Sequence, residues 1–297
     1  MKLKLWTSKI GDLLACPYRA KVLYWDRLRK TDVPTPLRVG SLAHVIHALF
    51  LHPATAEWGE RKKKDVGQRI VSVLGDGLDE EAKDVVRRMV ELWPERRFRE
   101  LGFEPLTVEL PLRVHLDGGI ELLGRADAVM MRGGQPWLVE FKTTSRAPGS
   151  LLDRAYNGNF QLLFYTALLK RMLSKPIAGV LATVYVKRKR SPEFIVEPIP
   201  LGYNELPGGC PLEVVWETVN LAADIARGIE QGRAPRNLTS CFGFYGTRCE
   251  VFELCRYQQR EALLLFEEWD PEEHITKSFL AELPEDIRRE IRWGSTN

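Results

Sequence analysis

The chain has 297 residues, 44% of them hydrophobic, enough for one large domain or two closely joined ones. Its formal charge of +3 is too small to identify a partner, so any attraction to nucleic acid has to come from local clusters. No apolar run reaches membrane-span length and the amino-terminal stretch lacks a long apolar segment with a cleavage site, which sets the expectation of a cytoplasmic protein in which the five cysteines are metal ligands or plain buried thiols rather than a disulfide framework.

In chain order, "TSKIGDLLACPYRAKVLYWDRL" reads as a helix that Thr7 or Ser8 can cap, with Ile10, Leu13 and Leu14 at helical spacing. "DVPTPL" breaks it. "VGSLAHVIHALFL" follows as a second helix opened by Gly40 and Ser41, and "KDVVRRMVELWPERRF" as a third, amphipathic one. From Glu104 the period changes. "LTVELPLRVHL" alternates, "IELLGRADAVMM" is apolar and branched, and "RGGQP" supplies a turn before "WLVEFKTT". These are consecutive strands of a mixed or antiparallel sheet. "GNFQLLFYTALLKRML" is a helix with a broad apolar face, "IAGVLATVYVKRKR" returns to strand, and the chain beyond Gly202 is helical and loop-rich. No internal repeat or low-complexity segment is visible.

The chemistry starts with "WLVEFKTT". Strand side chains alternate, so Glu140 and Lys142 share one face while Val139 and Phe141 take the other. Taken alone, a solvated edge strand accounts for them equally well. Upstream, Asp127 lies on the preceding strand, and the turn at Gly133 and Gly134 can fold it back beside Glu140. Two converging carboxylates with a lysine suit a hard divalent cation, which takes one or two carboxylates and leaves room for water and a substrate phosphate. Lys142 would then orient the attacking water or stabilise the charged transition state.

This pattern, "GRAD" followed across a turn by "EFK", resembles the PD-(D/E)XK nuclease superfamily. Two further features resemble its RecB-like branch, which includes CRISPR-associated and AddB-type exonucleases. One is "QLLFY", where Gln161 and Tyr165 are four apart on one helical face; the resemblance implies that they help position DNA and the metal-bound assembly. The other is "GSLAH", where it implies that His44 is a further metal ligand, a mixture of nitrogen and oxygen that suits Mn²⁺ as well as Mg²⁺. His47, one turn on, is the rival. Glu109 in "VELP" looks like an acidic residue that this branch often places on its first sheet strand.

"CFGFYGTRCEVFELC" groups Cys241, Cys249 and Cys255. By themselves these could be a metal site, with zinc the commoner occupant, or small buried hydrophobes. A subset of RecB-like nucleases has one cysteine before the core and three after it, ligating a [4Fe–4S] cluster. The resemblance therefore implies that Cys16, followed by Pro17, joins Cys241, Cys249 and Cys255 in such a cluster, clasping the two flanks; zinc is the alternative, and Cys210 is left over as a structural residue or as a replacement for Cys241 among the ligands. The separation of Cys241 from Cys249 is wider than is common in the family.

Basic clusters occur at "RKKK" (Arg61 to Lys64), "RRFR" (Arg96 to Arg99) and "VKRKR". In the last, Lys187, Arg188, Lys189 and Arg190 form a candidate phosphate-contacting rim. No base-reading motif and no P-loop are present.

The expectation is therefore an α/β protein. A central mixed sheet of the PD-(D/E)XK core would span residues 101–200, between a helical region over 1–100 and a helical, cysteine-bearing region over 201–297. The expected activity is a Mg²⁺- or Mn²⁺-dependent deoxyribonuclease, an exonuclease on single-stranded DNA or frayed duplex ends. The alternative is an inactive DNA- or partner-binding scaffold.

Overall fold

The computed structural model describes residues 2–32, 34–145, 159–173, 176–188, 190–201, 205–206, 210–241, 248–257 and 260–291. The chain begins with strand β1 (Leu3–Leu5) and helix α1 (Thr7–Ala15), whose N-cap is Trp6 without a side-chain cap. The expected single long helix is interrupted at Cys16, which is extended at φ −159°, before α2 (Pro17–Ala20) and a π-helical turn at Lys21–Trp25. The cause is local. A residue preceding proline clashes with the ring if it stays helical, so Cys16 is pushed out of the helix. Strand β2 (Leu28–Lys30) follows.

Helix α3 (Thr35–Leu51) starts five residues before the expected Gly40, because Pro36 in its first turn is preset for a helix start. It is buried on nearly every side from Leu42 to Leu51. Helix α4 (Glu60–Leu74) carries the first basic cluster and was not anticipated. The third expected helix is two, α5 (Glu80–Glu91), capped by the Asp79 carboxylate on the Ala82 N–H, and α6 (Glu95–Glu100), with Pro94 between them.

The strands follow the sequence pattern: β3 (Glu104–Leu116), β4 (Ile120–Arg132) and β5 (Gln135–Thr144). Gly133 and Gly134 have φ of 58° and 75°, the left-handed pair that a tight two-residue hairpin needs. Helix α7 (Phe160–Met172) is capped by Asn159, which accepts the Gln161 N–H. Strand β6 (Gly179–Val186) is entirely buried, and β7 (Glu193–Pro200), absent from the sequence reading, lies antiparallel to it. Short strands β8 (Glu205–Leu206) and β9 (Cys210–Pro211) precede α8 (Leu212–Glu230), α9 (Phe252–Tyr257), β10 (Phe266–Glu268), α10 (Pro271–Thr276) and α11 (Glu285–Glu290). Among the described residues no helix is long and apolar enough to cross a membrane.

The result is a mixed α/β fold divided into two compact units. One comprises Met1–Val33, Arg113–Gly124 and Leu212–Thr276; the other comprises Pro34–Leu112, Arg125–Pro211 and Lys277–Asn297. In the first, β1 runs parallel to the start of β4, α1 packs on α8, and β2 pairs antiparallel with β10. In the second, β5 is antiparallel to β4 and parallel to β6, and β6 is antiparallel to β7. Val139 and Phe141 on β5 join the core formed with α3, α4 and α5. Gly179 marks a close approach in this sheet: a Cβ there would lie 2.2 Å from Trp137 Cζ3 and 2.3 Å from the Ile199 carbonyl oxygen. Gly179→Ala is accordingly expected to destabilise the protein by about 3 kcal/mol, read as a lowered midpoint in urea, because neither the indole nor the backbone can yield.

Candidate active site

The six expected catalytic and metal-site residues, His44, Asp127, Glu140, Lys142, Gln161 and Tyr165, all lie in the second unit. The β4–β5 register pairs Arg132 with Gln135 and Ala128 with Val139. Carried one step further, it sets Asp127 across from Glu140, and directly opposed residues of antiparallel strands share a face. Asp127 Oδ2 accepts the Phe141 N–H at 2.8 Å, which ties the carboxylate to the neighbouring strand. Lys142 Nζ is 2.7 Å from Glu140 Oε1 and donates to Gln161 Oε1 at 3.2 Å, so the first turn of α7 reaches the strand pair. Tyr165, one turn on, is buried and within electrostatic range of Lys142. From α3, His44 Nδ1 comes to 3.1 Å from Asp127 Oδ1.

The charges perturb one another strongly. Burial pushes the Glu140 carboxyl up, and Asp127 adds to the rise while Lys142 opposes it. Burial would raise Asp127 too, but His44 and Lys142 outweigh it and hold Asp127 well below the usual carboxylate range. Burial disfavours the His44 and Lys142 cations, yet the facing carboxylates carry both upward.

Among the described residues, no group of three or more His, Cys, Asp or Glu side chains is placed to hold a metal ion. The donor types present, two carboxylates and an imidazole, are those that a hexacoordinate divalent ion takes alongside several waters. Glu140 Oε1 is taken up by the 2.7 Å ion pair with Lys142, and Oε2 is buried without a hydrogen-bond partner. His44 Nδ1 stands 3.1 Å from Asp127 Oδ1, an ion-pair separation when the imidazole is protonated. Adjacent ligands of an octahedral ion at 2.0–2.1 Å also stand about 3 Å apart, so this spacing is compatible with a shared cation as well as with the ion pair.

His47, the sequence-level rival, is elsewhere. Its ring stacks on Phe141 at 4.5 Å and meets Trp93 edge-on, fully buried, and burial lowers its pKa from 6.5 to about 3. The unfolded chain binds a proton near pH 6.5 that the fold refuses, so stability is complete above that pH and falls as pH drops toward 3. Between pH 7 and pH 5 the loss from this group is ~2 kcal/mol. His47→Leu is expected to flatten that limb of the stability–pH curve in chemical denaturation; an unchanged slope contradicts it.

The basic clusters divide. Lys62 pairs with Glu290, Lys63 is buried against Glu95, Lys64 meets Glu60, and Arg96 and Arg99 bridge to Glu100 and Glu95, so these two clusters are used within the fold. Arg188 pairs with Glu193, and Arg190 is exposed. Lys187 is half-buried just beyond β6, its backbone N–H bonded to the Thr144 carbonyl. Lys189 lies outside the described residues.

Cys16, Cys241, Cys249 and Cys255 all fall in the first unit and form no disulfide with one another. Cys16 Sγ accepts the Asn237 N–H at 3.5 Å, and Asn237 and Ser240 side chains both bond the Ala15 carbonyl at 2.8 Å, stitching the Cys241 segment to the end of α1. The Cys249 N–H donates to the Cys241 carbonyl at 2.8 Å. Burial pushes the Cys255 thiol up; Arg236 opposes it, and Cys241, Cys16 and Cys249 all add to the rise, so all three lie within electrostatic reach. Cys210 is placed by its backbone alone, paired with Leu206.

Sequence reasoning missed Arg125 and Phe279. Glu109, buried and in the left-handed region at φ 51°, sits 3.2 Å from Arg125 Nε and accepts the Phe279 N–H at 2.9 Å. Glu109 and Phe279 are 170 positions apart, and no local signal links them.

The sequence profile of the PD-(D/E)XK nuclease superfamily matches residues 7–256. No match was found among curated proteins. Among solved structures, the one titled "Crystal structure of SSO0001" aligns over 81% of this chain and 82% of its own, at 16% identity and a TM-score of 0.35, too loose a superposition to bear on function.

Proposed function

The chain belongs to the PD-(D/E)XK nuclease superfamily, and from that premise we propose that it is a metal-dependent deoxyribonuclease of the RecB-like branch, acting as an exonuclease on single-stranded or frayed-end DNA. The observation that supports this reading is the gathering of Asp127, Glu140, Lys142, His44 and Gln161 from two paired strands and two helices. Asp127 and Glu140, with His44, are the residues to hold Mg²⁺ or Mn²⁺. Such an ion would offset negative charge on a phosphodiester and make a bound water acidic. Lys142, held cationic by Glu140 and Asp127 and steadied by Gln161, places a fixed positive charge beside the reacting phosphate. Its side chain is 30% exposed, so this charge faces the side from which a strand can enter. Tyr165 and Gln161 orient that strand, and Lys187, Arg188, Lys189 and Arg190 are candidates for contacts to its backbone.

In the same reading, Cys16, Cys241, Cys249 and Cys255 ligate a [4Fe–4S] cluster with a structural role. The support is that all four fall in one unit and that the Asn237 and Ser240 side chains tie the Cys241 segment to Ala15, the residue before Cys16.

The test is incubation of end-labelled single-stranded DNA with the protein, with and without Mn²⁺. The expected result is metal-dependent shortening from an end. Tight binding without any product, at every metal concentration, would instead favour a non-cleaving scaffold.

A further inference from the structure

We infer that Phe279 is a positioning residue for His44, and that the segment from Ser278 to Ile291 is a strap that fixes the histidine beside Asp127. The inference rests on the reading of His44 as a metal ligand and adds how its ring is held.

The His44 ring contacts two phenyl groups. Phe141 meets it edge-on at 5.1 Å and 82°, and Phe279 lies against it at 5.5 Å and 35°. The rest of the strap is anchored by core side chains: Leu280, Leu283, Ile287 and Ile291 are almost fully buried among residues of α3 and α4. That packing alone would keep the segment in place. It does not account for what surrounds Phe279.

Glu109 spends a buried carboxylate on this one point. It accepts the Phe279 N–H at 2.9 Å and the Ser278 hydroxyl at 3.3 Å. Its backbone is left-handed inside a strand, a conformation that costs on the order of 1 kcal/mol or more for a residue with a side chain. The Arg125 guanidinium completes the lock. Its Nε is 3.2 Å from Glu109 Oε2 and its carbon is 4.2 Å from the centre of the Phe279 ring. Arg125 is two residues before Asp127 on β4, so the strand that presents the carboxylate also clamps the ring that braces its histidine. A buried charge pair and a strained backbone, both dedicated to one phenylalanine, match the arrangement in which outer residues orient a metal ligand.

Phe279→Leu keeps the apolar volume but removes the flat ring, and Phe279→Tyr keeps the ring. Binding of Mn²⁺ alone, followed by the electron-paramagnetic-resonance signal of the free ion, reads the effect without any substrate. Thermal melts of the same samples read folding. For Phe279→Leu, Mn²⁺ affinity is expected to fall by about 10-fold or more with an intact cooperative melt, and Phe279→Tyr should restore it. His44→Ala should lose affinity similarly, with little further loss when combined with Phe279→Leu. Parent-like Mn²⁺ affinity in Phe279→Leu, with the His44→Ala loss intact, overturns the strap and leaves the metal site standing. Parent-like affinity in His44→Ala, or no Mn²⁺ binding by the parent protein, overturns the reading of His44 as a ligand and the strap with it.

Discussion

Asp127→Asn is expected to remove divalent-ion-dependent cleavage by about 10³-fold or more while leaving the fold in place. Stabilisation of transition-state charge by a bound ion amounts to several kcal/mol, and each 1.36 kcal/mol is tenfold in rate. Folding should survive because an asparagine carbonyl oxygen can still accept the Phe141 N–H that Asp127 Oδ2 accepts now. The substitution relieves the repulsion that Asp127 exerts on Glu140 but also removes the charge that His44 and Lys142 hold in place, so near neutral pH the melting temperature should drop somewhat while the transition stays cooperative. Lys142→Ala should lose activity comparably through a different route, by removing the fixed positive charge. Undiminished cleavage in either variant would place the chemistry elsewhere.

Cys16→Ser is expected to have the largest effect on stability. Protein purified without oxygen should carry about four irons and four sulfides per chain, and the variant should lose most of both. If the four sulfurs hold a cluster only in the folded state, its binding energy adds to folding. The variant should then unfold with several kcal/mol less, a fraction of the roughly 10–16 kcal/mol that four-ligand zinc sites supply in small peptides. Cys210→Ser should change neither metal content nor stability by a comparable amount. Stoichiometric zinc without sulfide would replace the iron–sulfur assignment, and metal-free protein with a parent-like melt in Cys16→Ser would remove the cluster altogether.

The strand pair carrying the carboxylates was legible because its signals are local and agree. Alternation, two glycines free to take positive φ, and a second alternating run can form little but a hairpin. The α7 helix was equally plain, with Asn159 at its start. Less local features stayed hidden. The run through Cys16 looks continuously helical by apolar spacing, and only the steric effect of Pro17 on its predecessor breaks it. Strand β7 was concealed by Pro198 and Pro200, which a central strand would exclude but an edge strand tolerates; β7 pairs with β6 alone among the described residues. In α4, the run of lysines suggested a solvated face and masked Val66, Ile70 and Val71, which are buried. At the site, Asp127, Glu140 and Lys142 could be anticipated from period-two geometry. The meeting of Glu109, Arg125, Phe279 and His44 could not, since it depends on three distant segments closing on one another.

The most direct measurement is a crystal structure of the protein soaked in Mn²⁺, with the ion located by its anomalous scattering. The account predicts a single strong peak within bonding distance of carboxylate oxygens of both Asp127 and Glu140, with a His44 ring nitrogen as a third ligand. A peak that touches neither acid group, or full manganese occupancy elsewhere with those carboxylates bare, would contradict it.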